Sequence, residues 1–272
     1  MRGDTAAKPQ DAKSPNDVTP WSHLMFENAP QYLLDRVNNR NPTENFADQR
    51  MSAAWGLRMN FDQYVVRITK LPPDMKDAAA VLTFVRLNLA LFINGKRSDF
   101  EAYSAQEAAV WNSSNPNSAV MRFRGKEGPF HIDDADVLTT HFNSSSDYAS
   151  WTFRPVYDGY KKNFSNWFKG DKGHPLGGNR EFGVQKENGG YIFYIQGVDR
   201  LFNSTGDQVI SAGDIFFKQA DEMWRQVMVN VANAINAAGG EATFDTQRVV
   251  SKRVWYSDLP KETREKVINN GN

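Results

Sequence analysis

Two long stretches of the chain carry apolar residues at helical spacing. In residues 75–93 and 214–238, apolar side chains recur every three to four positions, which places them on one face of a helix. Glycine follows each stretch, and Asp214 is placed to cap the second helix at its N-terminus. The pattern predicts two long helices. The second should bury Phe216, Met223, Val227, Val231 and Ile235.

Shorter stretches between and around these helices favour strands. Residues 60–71 alternate in hydrophobicity, so that Tyr64, Val66 and Ile68 share one face of a predicted strand. Two prolines follow and end it. Further strands are predicted at 119–124, 137–142, 151–157 and 241–250, and short helices at 30–37, 47–57 and 257–268.

A β-hairpin is predicted where residues 181–186 and 191–196 flank the pair Asn188-Gly189. Asparagine and glycine both tolerate positive φ, which tight hairpin turns require. Strands therefore occupy the middle of the chain, between the two long helices. This order favours an antiparallel sheet over alternating β-α-β units.

The whole pattern predicts a single α+β domain, residues 20–272, of five to seven antiparallel strands packed on one face by the two long helices. We find no internal repeat and no linker that would divide it. Residues 1–19 are small, charged or proline, without periodicity, and predict a disordered tail.

Composition excludes several functional classes. The chain has 32 basic and 32 acidic residues, so its formal net charge is zero. Proteins that bind nucleic acid without sequence preference usually carry a surplus of basic residues, so general nucleic-acid binding is not predicted. The absence of cysteine excludes disulfides, zinc–thiolate sites and a cysteine nucleophile. No transmembrane segment or N-terminal signal peptide is predicted, so export would use a route that needs no cleaved signal. The compartment stays unassigned.

Glycine and polar residues are densest between 173 and 200, which suggests a loop-borne site held by the hairpin. The alternative is a set of tight turns joined by hydrogen bonds. Because a hairpin returns the chain to its starting end, five residues are predicted to be neighbours. They are His174, Asn179, Arg180, Asp199 and Arg200. Asn179, Asp199 and Arg200, together with Trp151, are the candidate binding residues.

His174, Arg180 and Glu181 are the candidate catalytic residues. Their types suit metal-free phosphodiester cleavage, with glutamate as base, histidine as acid and arginine stabilising the phosphate charge. One geometric objection is that side chains 180 and 181 point to opposite faces if both lie in a strand. The Walker, dinucleotide-binding and Gly-x-Ser-x-Gly motifs are absent.

Metal and aromatic sites are weaker alternatives. His131 lies near Asp133, Asp134 and Asp136, but the Asp-x-Asp spacing of a calcium loop is only partial, and a solvated surface loop explains these residues better. No metal or cofactor is predicted. An aromatic platform for sugars or bases is conceivable, but core packing is the favoured role of its members Trp151, Phe153, Tyr191, Phe193 and Tyr194.

Several short motifs resemble a family of uncharacterised bacterial proteins associated with toxins and effectors. They are Trp-Asn-Ser-Ser-Asn-Pro at 111–116, Trp-Thr-Phe at 151–153, His-Pro-x-x-Gly-Asn-Arg-x-Phe-Gly at 174–183 and Tyr-x-Phe-Tyr-x-x-Gly-Val-Asp-Arg at 191–200. The resemblance spans about 75–245 and implies no particular chemistry.

From this resemblance we expect an effector or toxin-type protein of interbacterial competition, acting outside the producing cell, whose molecular activity is unassigned. A cognate immunity or delivery protein is the implied partner. Two alternatives stay open: a non-catalytic glycan- or protein-binding module, and the metal-free nuclease or phosphodiesterase described above. The sequence leaves open whether the protein is an enzyme, and its oligomeric state.

Overall fold

A computed structural model describes residues 17–54, 56–95, 98–125, 132–160, 174–202 and 208–269. Within them the chain forms seven α-helices and ten β-strands. The helices are α1 (Ser22–Met25), α2 (Gln31–Arg40), α3 (Ala78–Leu87), α4 (Leu89–Ile93), α5 (Ala105–Trp111), α6 (Gln208–Ala237) and α7 (Lys261–Asn269). The strands are β1 (Phe46–Asp48), β2 (Arg58–Lys70), β3 (Ser98–Ala102), β4 (Val120–Gly125), β5 (Ile132–Ser144), β6 (Tyr148–Asp158), β7 (Leu176–Glu187), β8 (Gly190–Leu201), β9 (Glu241–Phe244) and β10 (Val250–Trp255).

All ten strands belong to one antiparallel sheet. Its order is β10-β2-β8-β7-β6-β5-β4-β3, with β1 added to β6 and β9 added to β2. The α+β class and the antiparallel sheet are confirmed, and the sheet is larger than the predicted five to seven strands. The difference has two sources: β1 and β3 were not predicted, and the single strand predicted at 241–250 is two strands, β9 and β10.

The predicted hairpin is present and longer than the sequence pattern suggested. Strands β7 and β8 pair continuously from Leu176 opposite Leu201 to Glu187 opposite Gly190. The turn places Asn188 at φ 48° and Gly189 at φ 80°, the left-handed conformation that these two residue types tolerate best. The hairpin fixes which residues of the two strands lie side by side.

Alternation along the strands gives the sheet two faces, each with its own helices. Tyr64, Val66 and Ile68 of β2 share one face, as predicted, and pack with α3, α4 and α6. We call this the α6 face. Phe61 points to the opposite face, where it meets Trp21 next to α1. We call that side the α1 face. The prediction of helices on one face only is wrong, because β2 is apolar on both sides and both must be covered.

The described part of the chain contains one long helix instead of the predicted two. The predicted helix 75–93 is divided at Asn88, whose side-chain amide donates to the carbonyl of Phe84 at 2.8 Å. Asp77 caps α3 by accepting from the backbone N–H of Ala80 at 2.9 Å. The other helix, α6, begins at Gln208, so Asp214 lies inside it and is not its N-cap.

Helix α6 packs across the sheet with the face that the sequence pattern indicated. Val227, Val231 and Ile235 are buried as predicted, and Met223 is half-buried. The side chain of Phe216 lies outside the described residues. Residues on the same buried side that the prediction did not include are Phe217, Trp224 and Met228.

Two predictions near the N-terminus need correction. The helix predicted at 47–57 is instead the strand β1 followed by a three-residue 3-10 turn, Met51–Ala53. Asp48, inside β1, accepts from the backbone of Ala29 and from Arg154, and these contacts favour the extended chain. Of the predicted tail, residues 1–16 lie outside the described residues, whereas Val18 is already buried. The predicted helix 30–37 corresponds to α2, and the predicted helix 257–268 begins at Lys261.

Candidate functional site

Arg180 lies on the α6 face between two buried carboxylates. Its Nη1 and Nη2 donate to the two carboxylate oxygens of Asp62 at 2.6 and 2.8 Å, and Nη2 also donates to Asp199 at 2.7 Å. The predicted proximity of Arg180 and Asp199 is confirmed. Gly197 pairs with Arg180 across the hairpin, and a Cβ there would lie 2.5 Å from Nη2. A larger residue at position 197 would displace the guanidinium from this position.

The charges in this group are arranged to hold the fold. Burial opposes the charge on Arg180, but Asp62 and Asp199 keep its pKa above the ordinary value. Burial raises the pKa of Asp199 to about 6, and the negative charge of Asp62 acts in the same direction against the opposing effect of Arg180. Trp224 of α6 covers the guanidinium, with its ring centroid 4.8 Å from Cζ. The three charged side chains therefore tie β2, β7 and β8 together beneath α6.

The predicted catalytic trio is not assembled around one point. Glu181 lies on the α1 face, opposite to Arg180, because consecutive strand residues alternate. Burial lowers the pKa of His174 to about 4, so its ring is neutral at physiological pH and is a poor proton donor. Nδ1 of His174 instead accepts from the backbone N–H of Leu176 at 3.1 Å. As expected for consecutive strand residues, the side chains of Arg180 and Glu181 point to opposite faces of the sheet and cannot act on one substrate atom.

The other predicted binding residues have structural partners on the α1 face or inside the core. Asn179 is buried, and its amide donates to the carbonyl of Leu24 at 2.6 Å. Arg200 donates to the carbonyl of Gly56 at 2.6 Å and lies over the ring of Tyr256. Neither residue shares a face with Arg180. Trp151 is fully buried.

The five aromatic residues for which core packing was the favoured role are largely buried in the protein. Trp151 stacks on Phe182 at 4.8 Å between ring centroids, with the planes 7° apart. Phe153 and Phe193 belong to the same core on the α6 face, whereas Tyr194 is buried on the α1 face and Tyr191 is half-buried. An exposed aromatic platform is not formed by these five side chains.

A different group of titratable side chains meets on the α1 face, around Glu181. The hydroxyl of Tyr194 donates to Glu181 Oε1 at 2.6 Å, and Nε2 of His23 lies 3.7 Å from the same oxygen. At that distance His23 and Glu181 form an ion pair and not a hydrogen bond. Tyr194 reaches Glu181 because its ring lies over Gly183, where a Cβ would approach the ring to 2.3 Å.

A second histidine–glutamate pair lies beside the first. Nε2 of His141 is 3.3 Å from Glu27 Oε2, and His141 is held at φ 51°, which is uncommon for a residue with a side chain. The pairing of β5 with β6 shifts register at this point, so His141 lies in a bulge. Bulges and strained residues are frequent where a side chain must be re-aimed toward a site.

We call the whole group the His–Glu cluster. Its members are His23, Glu27, His141, Tyr148, Glu181 and Tyr194. Burial lowers the pKa of His23, but the interactions with Glu181 and the charge of Glu27 outweigh it and raise the pKa above 6.5. Burial and the charge of Glu181 raise the pKa of Tyr148 to about 12. The same two causes raise the pKa of Tyr194 well above 10. The cluster therefore holds two phenols that keep their protons and a histidine whose pKa lies above its ordinary value.

The sequence offered only one signal for this cluster. His23 and Glu27 are four residues apart, so they share a face if the intervening chain is helical, and α1 covers part of that span. His141 and Glu181 are far from them in sequence. Only the sheet and the chain leading into and out of α1 bring the members together.

Metal and membrane features are absent from the part of the chain that the structure describes. No group of three or more His, Asp or Glu side chains there could hold a metal ion. His131 lies outside the described residues, and Asp136 accepts from Arg122 at 2.8 and 3.1 Å. Among the described helices, none combines the length and the apolar character needed to cross a bilayer.

Comparison with known proteins leaves the family open. No protein-family model matches the chain, and no curated protein matches significantly. One similar solved structure is that of Ara h 8.0201, at 9% identity and TM-score 0.32, covering 64% of this chain and 97% of that one. Another is a conserved protein from Geobacillus kaustophilus, at 10% identity and TM-score 0.33, covering 67% of this chain and 98% of that one. The chain is similar to these structures only at this distant level.

Proposed function

We propose that the protein is a metal-free general acid–base enzyme whose active site is the His–Glu cluster. One observation supports this most directly: Glu181 is shared by Tyr194 and His23, and a second His–Glu pair, His141 with Glu27, lies beside it. Pairs of titratable groups whose surroundings separate their pKa values are the usual basis of acid and base roles. Glu181 stays a candidate catalytic residue in this proposal, but its partners are His23 and Tyr194 instead of His174 and Arg180.

The geometry gives each residue a distinct role in this proposal. Glu181 is the base, since Oε1 is held by Tyr194 while no described residue donates a hydrogen bond to Oε2. His23 lies 3.7 Å from Oε1 and, when protonated, forms an ion pair with Glu181. His141 is 39% exposed at its side chain and is the proton donor, because it is the histidine more open to solvent. Positioned acid–base groups of this kind accelerate reactions by about 10²–10⁴-fold.

Charge favours an uncharged substrate. Two carboxylates, Glu27 and Glu181, face the cluster, and Arg154 is the nearby guanidinium. Arg154 is only 1% exposed and donates to Asp48, to Asn179 and to the carbonyl of Glu27. Each carboxylate is paired with a histidine and the guanidinium of Arg154 is engaged, so an anionic phosphodiester would find no unpaired cation among these residues. This is why we do not retain the phosphodiesterase alternative for this cluster.

Hydrolysis of chromogenic substrates tests the proposal. We expect at least one uncharged p-nitrophenyl glycoside or acyl ester to be hydrolysed between pH 5 and 8, and anionic bis(p-nitrophenyl) phosphate to be left intact. Glu181→Gln should lower the rate by about 100-fold or more, since it removes the base. Glu241→Gln is the matched control, because Glu241 is 66% exposed and lies in the distant edge strand β9. Turnover that survives in the Glu181→Gln variant, or none across the uncharged panel, would overturn the proposal.

For the biological setting we retain the effector or toxin-type protein, acting outside the producing cell, as a proposal. Its support is the resemblance of the motifs at 111–116, 151–153, 174–183 and 191–200, together with the cysteine-free composition. Expression in the cytoplasm and, separately, in the periplasm of a susceptible bacterium tests it. Growth inhibition that Glu181→Gln removes would link toxicity to the cluster. Normal growth in both compartments would count against an effector.

The non-catalytic binding module is the remaining alternative from the sequence. The loops and aromatics that motivated it are largely engaged within the fold, as Asn179, Arg200 and Trp151 show. A specific partner on a glycan array or in a pull-down, without turnover in the chromogenic assay, would favour binding over catalysis.

A further inference from the structure

Arg86 is a buried cation that has no acidic partner among the residues that the structure describes. It lies in the last turn of α3 and is only 2% exposed. Nη2 donates to the carbonyl of Ser113 at 2.9 Å, but Nε and Nη1 make no hydrogen bond. Among the described residues, no carboxylate forms an ion pair with it. Buried arginines are usually paired with an anion, because an uncompensated charge inside a protein is strongly unfavourable.

Two further unsatisfied donors lie in the same part of the core. The indole N–H of Trp151 and the hydroxyl of Thr139 are fully buried, and neither has a hydrogen-bond partner within the described ranges of the chain. Both belong to the α6 face, since Trp151 packs in that core and Thr139 is registered opposite Phe153. Most buried polar groups in native proteins are satisfied, so three in one region require an explanation.

Trp111 contacts Arg86 and Trp151 and is linked to Thr139 through Phe153. Its ring centroid lies 5.4 Å from the guanidinium carbon of Arg86 and 5.8 Å from the ring of Trp151. It also stacks on Phe153, the cross-strand neighbour of Thr139, at 5.6 Å. Arg86 and Trp151 therefore contact one aromatic ring, between α3, the end of α5 and the sheet, and Thr139 lies across the strand pair from Phe153, on which that ring stacks.

Local features of the fold compensate the charge of Arg86 only in part. The C-terminal end of α3 carries a partial negative charge, and the ring of Trp111 attracts a cation. Burial still lowers the pKa of Arg86. Neither feature supplies an acceptor for Nε, for Nη1 or for the indole N–H.

We propose that Arg86, Thr139 and Trp151 form an internal binding site for the carboxylate of a small monocarboxylic acid with an apolar remainder. The free groups are all able to donate, and one carries a positive charge, which selects an anionic acceptor. A single guanidinium balances one negative charge, so a monoanion fits better than a dianion. The aromatic walls formed by Trp111 and Phe153 suit an apolar remainder. This site lies on the α6 face and does not depend on the function proposed for the His–Glu cluster.

Thermal unfolding with sodium benzoate and sodium hexanoate tests the site at constant ionic strength. Ligands that bind only the folded protein raise its melting temperature with concentration. We expect this rise for wild type with at least one of the two acids. Neutral benzamide and inorganic phosphate should give no rise. A rise of equal size with phosphate would contradict the carboxylate assignment.

The matched variants are Arg86→Met and Arg225→Met. Arg225 is an exposed arginine of α6. Arg86→Met should fold with an equal or higher melting temperature, because it removes an unpaired buried charge, and should lose the response to the acids. Arg225→Met should keep it. If Arg86→Met does not fold, Thr139→Val takes its place and should weaken binding about fivefold. No response in wild type, or an unchanged response in Arg86→Met, would overturn the proposal.

Discussion

At the residue scale, alternation along strand β7 decides which partners each charged side chain can have. Arg180 meets Asp62 and Asp199 under α6, whereas its neighbour Glu181 meets His23 and Tyr194 on the other side of the sheet. A glycine makes room for each arrangement. Gly197 on β8 leaves space for the guanidinium of Arg180, and Gly183 on β7 leaves space for the ring of Tyr194, which binds Glu181. Two adjacent residues therefore belong to separate groups, one structural and one proposed to be catalytic.

Replacing Arg180 tests its structural role. Arg180→Ala leaves Asp62 and Asp199 buried without their cation, and breaking a buried ion pair in this way costs about 3–5 kcal/mol of unfolding free energy. Arg67→Ala is the control, because Arg67 pairs with Asp245 on the surface, where such pairs contribute about 1 kcal/mol or less. Urea denaturation measures both. A loss below about 1 kcal/mol for Arg180→Ala would contradict the structural role.

Asp199 makes the stability depend on pH in a predictable direction. Its pKa is about 6 in the folded protein, above its ordinary value of 3.8, so the folded state binds the proton more tightly. Stability from this group is therefore present at low pH and is lost as the pH rises through about 6. We expect wild type to gain stability relative to Asp199→Asn between pH 7.5 and 5. A difference between the two proteins that is independent of pH would show that Asp199 titrates normally.

At the scale of elements, the sequence pattern located α6 and the β7–β8 hairpin but not the break between α3 and α4. The hairpin was predictable because Asn188-Gly189 sets the turn, and the turn then sets the pairs Arg180–Gly197 and Gly183–Tyr194. The break at Asn88 depends on a side-chain hydrogen bond that competes with the helix. Apolar spacing continues across it, so periodicity alone shows one helix.

Helix α6 offers a direct test of the element packing. Val227 is 1% exposed, and Val227→Asp would bury an unpaired carboxylate against the sheet. We expect a loss of about 3 kcal/mol or more in unfolding free energy, measured by urea denaturation. Val229→Asp, two residues further along and 37% exposed, is the control and should change stability much less. Equal unfolding free energies for wild type and Val227→Asp would show that the buried face of α6 is misassigned.

At the scale of the whole molecule, the segment at the start of the described chain completes both the fold and the candidate site. Three side chains of the sheet donate hydrogen bonds to backbone carbonyls of residues 20–27; they are Gln196, Asn179 and Arg154. In the other direction, the indole of Trp21 donates to the carbonyl of Asp62 at 2.9 Å. This attachment places His23 beside Glu181 and Glu27 beside His141. Alternation in the sequence groups Tyr64, Val66 and Ile68 on one face of β2, but it does not show that the other face is also covered, nor which segment covers it. This is why the His–Glu cluster was missed.

The measurement that tests the His–Glu cluster most directly is the titration of His23 by nuclear magnetic resonance. The imidazole signal is assigned as the one missing in His23→Gln. We predict a pKa above 6.5 in wild type, because Glu181 and Glu27 favour the protonated ring over the effect of burial. In Glu181→Gln the ring stays buried but loses the nearby negative charge, so the pKa of His23 should fall. A pKa at or below 6.5 in wild type, or the same value in both proteins, would contradict the cluster as described.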